Sequence, residues 1–320
     1  MAMMFLFICA SNVFCEEVPS GHNNYSLSVG WGFMAGHTTY QIGGRYETPE
    51  TSGKVRFPIS ELEFPLNTQY GSLGGEVELT DRIKLKAKIR KNISKDAGKM
   101  KDSDWGLWYE ELDGWPYSDS LDIYSESDTK ADALTADITA RYYFNPWQYK
   151  KTAFSIFIGV NYSWQRFEFT MSDLEQWYPS MEDYYGFTMD HDIFSGNTME
   201  YKVTKRIPAL TTGVQIAASP GLFLDAVFGY SPYVTVNDAD RHLQRSVTSK
   251  SDCDGEAVLL SLSGHYRLGA GWSIGLAYDY TSVDTRGKEK QYHEGHYAAT
   301  VEQKNFSDLH ATELTLGWLF

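Results

Sequence analysis

Thr312-Glu-Leu-Thr-Leu-Gly-Trp-Leu-Phe320 closes the chain, and its alternation decides the fold. Leu314, Leu316, Trp318 and Phe320 alternate with Thr315, Gly317 and Leu319. A β-strand has a side-chain period of two, so the four bulky apolar residues share one face. A strand that is apolar and aromatic on one face and mostly small or polar on the other suits a barrel wall between lipid and a polar lumen.

The same alternation recurs towards the N-terminus. Gly271-Trp-Ser-Ile-Gly-Leu-Ala-Tyr-Asp-Tyr280 carries its large residues at even positions. Phe154, Ile156, Ile158, Val160 and Tyr162 alternate against Ser155, Phe157, Gly159 and Asn161. Leu222, Leu224, Phe228 and Tyr230 alternate against Asp225 and Gly229. In Ile83-Lys-Leu-Lys-Ala-Lys-Ile-Arg90 odd positions are apolar and even ones basic. Short turns sit at Thr80-Asp-Arg82, Asn145-Pro146, Pro220-Gly221 and Gly269-Ala-Gly271, with long polar segments over 48–54, 100–124, 173–197, 240–255 and 286–305 between them. The pattern predicts ten strands, over 24–46, 55–79, 83–100, 125–144, 152–172, 198–218, 222–238, 255–268, 272–287 and 306–320. The expected fold is all-β: a ten-stranded antiparallel transmembrane β-barrel with short periplasmic turns and long extracellular loops. A last strand ending in Phe resembles that of bacterial outer-membrane barrels. The strands are long enough to project beyond the membrane on the loop side.

Composition agrees with this reading. Aromatic residues make up 15% of the 320, with 22 Tyr and 9 Trp, residues that gather at membrane interfaces. Mean hydropathy is −0.39, and no apolar run approaches the roughly 20 residues of a spanning helix. The net charge of −14 argues against a nucleic-acid partner and favours a basic one. Met1–Cys15 reads as a signal-peptide core with cleavage near Val13-Phe14-Cys15, leaving the barrel over 16–320. After cleavage Cys253 is the one remaining thiol, so no intrachain disulfide is expected and a metal cluster is disfavoured.

Two polar clusters lie at strand ends on the long-loop side. In Lys101-Asp-Ser-Asp-Trp105, Asp102 and Asp104 share a face of an extended segment. The apolar odd positions of that strand face lipid, so both carboxylates continue the inward face provided no bulge intervenes. Two carboxylates held close cannot both ionise easily, so one can hold a water through a retained proton. In Asn237-Asp-Ala-Asp-Arg-His242, Asp238, Asp240 and His242 share a face. A carboxylate beside an imidazole suits a general base. Strict alternation from the even apolar positions of that strand would aim Asp240 at lipid. A one-residue bulge near the rim, or emergence above the membrane, must correct it. His293-Glu-Gly-His296 has no trusted metal-ligand spacing.

At these residues the sequence resembles the omptin family of outer-membrane endopeptidases. Asp102-Ser-Asp104-Trp105 resembles the family's Asp-x-Asp-Trp, and Asp238-Ala-Asp240-Arg-His242 its Asp-x-Asp-x-His. The second match extends back through Phe228, Tyr230, Ser231 and Val234, and Ser60-Glu-Leu-Glu-Phe64 resembles the family's Ser-Gln-Leu-Asp-Trp. The resemblance implies a proteolytic groove at the extracellular end. His242, oriented by Asp240, would take a proton from water, while Asp102 and Asp104 place that water and stabilise the tetrahedral species. It implies no metal and no cofactor.

The family cuts between two basic residues over acidic pocket floors. Asp238 matches one of these acids and Asp122 another, whereas Tyr40 stands where the first strand carries an acid. A Tyr does not neutralise an arginine at pH 7. Leu121-Asp-Ile-Tyr-Ser-Glu-Ser-Asp128 also departs from the family's Trp-Thr-Asp-x-Ser-x-His-Pro. Family members need lipopolysaccharide on the outer wall, and Tyr162-Ser-Trp-Gln-Arg166 resembles the family's Tyr-Gln-Glu-Ser-Arg. Arg166 on a lipid-facing parity calls for a phosphate partner, with Tyr162 beside it and Arg206 near the place of a second family Arg. The expected protein is thus an endopeptidase of the outer membrane, its active site facing outward, acting as a monomer on basic peptides or proteins. The rival is a non-catalytic barrel serving as an adhesin. A porin is disfavoured, because about ten strands enclose a lumen that side chains fill.

Overall fold

The computed structural model describes residues 25–106 and 120–320. The expected signal peptide and its cleavage site lie outside the described residues. The strands are β1 (Tyr25–Glu47), β2 (Ser52–Lys54), β3 (Ser60–Pro65), β4 (Thr68–Thr80), β5 (Ile83–Asn92), β6 (Asp96–Trp105), β7 (Leu121–Tyr143), β8 (Trp147–Tyr149) and β9 (Thr152–Trp177). The short helix α1 (Pro179–Tyr185) follows, then β10 (Asp192–Ser219), β11 (Leu222–His242), β12 (Val247–Gly269), β13 (Trp272–His293) and β14 (His296–Leu319). Every pairing is antiparallel.

The expected ten walls are all present. The second is split into β3 and β4 and the third into β5 and β6, while β2 and β8 are short flanking additions. Pairing runs from β14 through β1 to β3 and β4, on to β6 and β5, then β7 and β9, and back through β10 to β13. The sheet therefore closes on itself and leaves no open edge among the walls.

The closing segment behaves as its alternation demands. Leu314, Leu316 and Trp318 are 52%, 44% and 39% exposed, whereas Glu313 on the opposite face is 2% exposed. Leu27, Val29, Trp31 and Phe33 of β1 and Ile156, Ile158, Val160 and Tyr162 of β9 extend this apolar belt. Inside the belt, Arg90 is paired with Asp137 at 3.1 Å, Glu313 at 3.4 Å and Asp279, and Lys88 reaches Glu313 at 2.9 Å. A cavity of about 690 Å³ remains in this half, lined up to the level of Met34 and Leu309. Above it, buried Tyr40, Phe64, Phe167, Phe169 and Tyr201 form an aromatic floor.

Several expected loops are strand instead. β11 ends only at His242 and β12 begins at Val247, and the β13–β14 connection is down to Glu294 and Gly295. Above the belt the outer face meets water and the inner face carries buried polar groups such as Ser249, Ser251 and Glu289, so the sequence loses its apolar alternation while the ladder continues. At the opposite rim turns are tight: Ala270 and Gly271 have φ of 48° and 81°, as a two-residue primed hairpin requires.

Candidate active site

Two backbone irregularities decide which side chains enter the barrel above the aromatic floor. In β11 the inward positions Asp225, Gly229 and Ser231 are odd, whereas Val234, Val236, Asp238 and Asp240 are even. The switch occurs at Pro232-Tyr233, where pairing with both β10 and β12 jumps by one residue. This is the bulge the sequence required, although it lies well below the rim. Proline suits it, because it has no N–H to lose from the ladder.

The third wall contains two shifts that cancel. Even positions of β5 point inward as far as Asn92; Ala97 is then buried at an odd position, and Met100 and Asp102 at even ones. Gly98, with φ of 109°, is the second irregular point. Asp102 and Asp104 therefore keep the expected inward face, for a different reason from unbroken alternation. A third shift, between Asp104 and Trp105 in the β6–β7 ladder, leaves Asp122 as the extra residue and turns it into the interior, 2% exposed.

The first carboxylate pair is thus fixed on β6. Asp102 lies opposite Leu62 and Ser125, and Asp104 opposite Ser60 and Ile123. Burial and the neighbouring Asp104 hold the Asp102 carboxyl well above the usual range. Burial also raises Asp104, against the Ser60 hydroxyl that donates to it. Asp102 Oδ1 has no protein partner.

On β11, Asp240 Oδ2 accepts a 2.5 Å hydrogen bond from the Tyr40 hydroxyl and lies 3.8 Å from His242 Nε2. Arg245 Nη2 stands 3.3 Å from His242 Nδ1. A guanidinium can only donate, so Nδ1 accepts and the neutral ring carries its proton on Nε2, towards Asp240. Burial pulls His242 below the ordinary histidine range; Asp240 opposes this and Arg245 adds to it. The imidazole is therefore neutral at pH 7. Arg245 also acts electrostatically on Asp102 and Asp104, and Asp240 on Asp102. Asp102, Asp104, Asp240 and His242 thus lie at one end of the barrel around Arg245, which acts on both β6 carboxylates and on His242.

Asp238 lies deeper, 7% exposed, and accepts from Gln303 Nε2 at 2.9 Å and Asn305 Nδ2 at 3.1 Å. Burial pushes its carboxyl up to about 6. The sequence reading missed Arg245, Ser60 and Glu289. Glu289 is 2% exposed, and burial followed by the Asp240 charge pushes it up to about 8. Extending the inward parity of Val283, Thr285 and Gly287 by one step would have found it.

Tyr162, Arg166 and Arg206 lie elsewhere, on the outer wall of β9 and β10, where Arg166 faces Thr204 and Arg206 faces Trp164. Arg166 has protein partners on this wall. It pairs with Glu168, which Lys202 also reaches at 3.2 Å, and Arg206 donates to Asn237 Oδ1 at 2.5 Å. Tyr162 belongs to the apolar belt, and the charged residues follow directly above it.

Comparison with known proteins follows this geometry. The family model described as "Omptin family" matches residues 21–318. The crystal structure of the outer membrane protease OmpT from Escherichia coli aligns with a TM-score of 0.69 and 18% identity, covering 95% of this chain and 99% of that one. The outer membrane protein OprG from Pseudomonas aeruginosa aligns over 94% of this chain and 98% of that one, at 11% identity and a TM-score of 0.37. No curated protein matches.

Proposed function

Since this chain belongs to the omptin family, we propose that it is an outer-membrane endopeptidase with its cleft facing outward. The observation that carries the reading is the convergence of Asp102, Asp104, Asp240 and His242 on one cleft, reached only because a bulge redirects β11. The apolar belt and the closed sheet fit a membrane span, and the solved fold of an outer membrane protease is similar.

In this mechanism the peptide lies across the rim. Neutral His242 takes a proton from water at Nδ1, once Arg245 moves aside, while the water oxygen bonds to the scissile carbonyl carbon. Nε2–H faces Asp240, whose charge stabilises the imidazolium. Asp102 and Asp104, one retaining its proton, hold the water and donate to the developing oxyanion. The C–N bond then breaks, and the proton on His242 goes to the leaving amine. No metal or other cofactor enters these steps.

Asp238 and Asp122 supply acidic character for basic residues flanking the cut, and Tyr40 borders the first pocket. Lipopolysaccharide is proposed as an activating lipid on the patch of Tyr162, Arg166 and Arg206. The active unit is proposed to be the monomer.

The adhesin reading retains one specific support. Asp240 and His242 are 3.8 Å apart, and Arg245 covers Nδ1. Cleavage of a mixed peptide library by refolded protein with lipopolysaccharide separates the two. We expect cuts near Lys or Arg, and losses of roughly 10²–10⁴-fold in kcat for His242→Ala and Asp104→Ala. A folded, heat-modifiable barrel that cuts nothing in the library would overturn the enzyme reading.

A further inference from the structure

Tyr40 occupies the position where the family resemblance places a pocket acid, and its hydroxyl is engaged with Asp240. It is 2% exposed and donates at 2.5 Å to Asp240 Oδ2, the same oxygen that faces His242 Nε2. Asp240 Oδ1 has no protein partner, so this bond is the one that orients the carboxylate among the described residues. The donor is itself clamped. Its ring packs 5.3 Å from Tyr201 and 5.9 Å from Phe64, which stack on each other at 4.2 Å, and Phe169 backs Phe64 at 5.3 Å. Its backbone is paired on both sides, with Asn305 of β14 and Leu62 of β3.

We propose that Tyr40 is a positioning residue for the Asp240–His242 couple: the hydroxyl fixes the Asp240 carboxylate towards the imidazole and moderates the negative charge that the imidazole meets. This rests on the reading of His242 as the base. A hydrogen bond donated to a carboxylate draws charge from the accepting oxygen. Asp240 so bonded stabilises an imidazolium less than a bare carboxylate would, and His242 stays neutral and ready to accept a proton. The other groups facing the couple are Arg245 beyond β11, Asp102 on β6, Asp238 on β11, Tyr201 on β10 and Glu289 on β13. Among the described residues, none of these groups donates a hydrogen bond to Asp240.

The test is the titration of His242 by NMR in the refolded, histidine-labelled chain, with the resonance assigned by its loss in His242→Ala. Tyr40→Phe keeps the ring and removes the donor. The His242 midpoint should rise by roughly half a pH unit or more, and kcat for peptide cleavage should fall about tenfold with KM within about twofold. Tyr201→Phe removes an equally buried hydroxyl that does not touch Asp240, and should leave the midpoint in place. Heat-modifiable migration reports folding. Should Tyr40→Phe fail to fold, Phe64→Leu loosens the clamp and should shift the midpoint in the same direction. A midpoint that is unchanged or lowered, or an equal shift in Tyr201→Phe, overturns the proposal. The titration needs no turnover, so a folded chain that cleaves nothing counts against the protease reading and still lets the midpoint judge Tyr40.

Discussion

Arg245 is the cation that stands against His242, the proposed base. It reaches His242 Nδ1 at 3.3 Å and acts electrostatically on Asp102 and Asp104 as well. Two consequences oppose each other. The guanidinium keeps the imidazole unprotonated, which favours a base, and it occupies the nitrogen that must accept a proton, which hinders one. A basic substrate side chain entering between the carboxylates would compete for the same charges and release it. Arg245→Ala should therefore shift the acid limb of the kcat/KM profile to higher pH, because a positive charge that disfavoured imidazolium has gone. It should also raise activity on uncharged peptides relative to basic ones, since uncharged peptides cannot displace the arginine themselves. Profiles measured on an Arg-containing peptide and its citrulline counterpart check both outcomes. An unmoved limb would assign Arg245 to the rim alone.

At the scale of elements, the β11 bulge determines whether there is a site. Without Pro232-Tyr233 as an extra step, Asp238 and Asp240 would carry the parity of Leu224 and Phe228 and point out of the barrel. Deleting Tyr233, which is exposed, restores strict alternation and should abolish cleavage. The belt half of the barrel, paired independently below Ser231, should still give a heat-modifiable band, with a lower melting temperature. Retained cleavage would show that the upper strand re-forms its own shift. This bulge was legible in the sequence, because an apolar even face followed by functional even residues forces a change of register. The two cancelling shifts in the third wall were not legible: their sum is zero, and Gly98 alone does not reveal where the first lies. The shift that turns in Asp122 was hidden because residues 121–128 alternate too weakly to define a face. The extended hairpins of β11–β12 and β13–β14 were read as loops for the same reason, since strand faces above the lipid carry no apolar period. Glu289 was missed with them, although its parity follows directly from β13.

For the whole molecule, the cleft costs stability in a way that depends on pH. Glu289 and Asp238 are acids whose native titration lies near 8 and 6, both raised chiefly by burial. In the unfolded chain they titrate near 4.3 and 3.9. Between those limits the native state binds more protons than the unfolded one, so stability falls as pH rises. The favourable proton binding is fully present below about pH 4 and is lost progressively up to about pH 8. The unpartnered Glu289 Oε2 and Asp102 Oδ1 mark where this burial is least compensated. Elsewhere in the barrel carboxylates such as Glu313 are paired with Lys88 and Arg90. The outward apolar belt does not titrate, so the slope belongs to the cleft. Urea unfolding between pH 5 and 8.5, followed by the heat-modifiable band, should show stability declining with pH. Glu289→Gln should flatten the decline most strongly above about pH 7, where Asp238 has largely ionised and Glu289 is still titrating. An unaltered slope in that variant would mean that Glu289 ionises near its ordinary range.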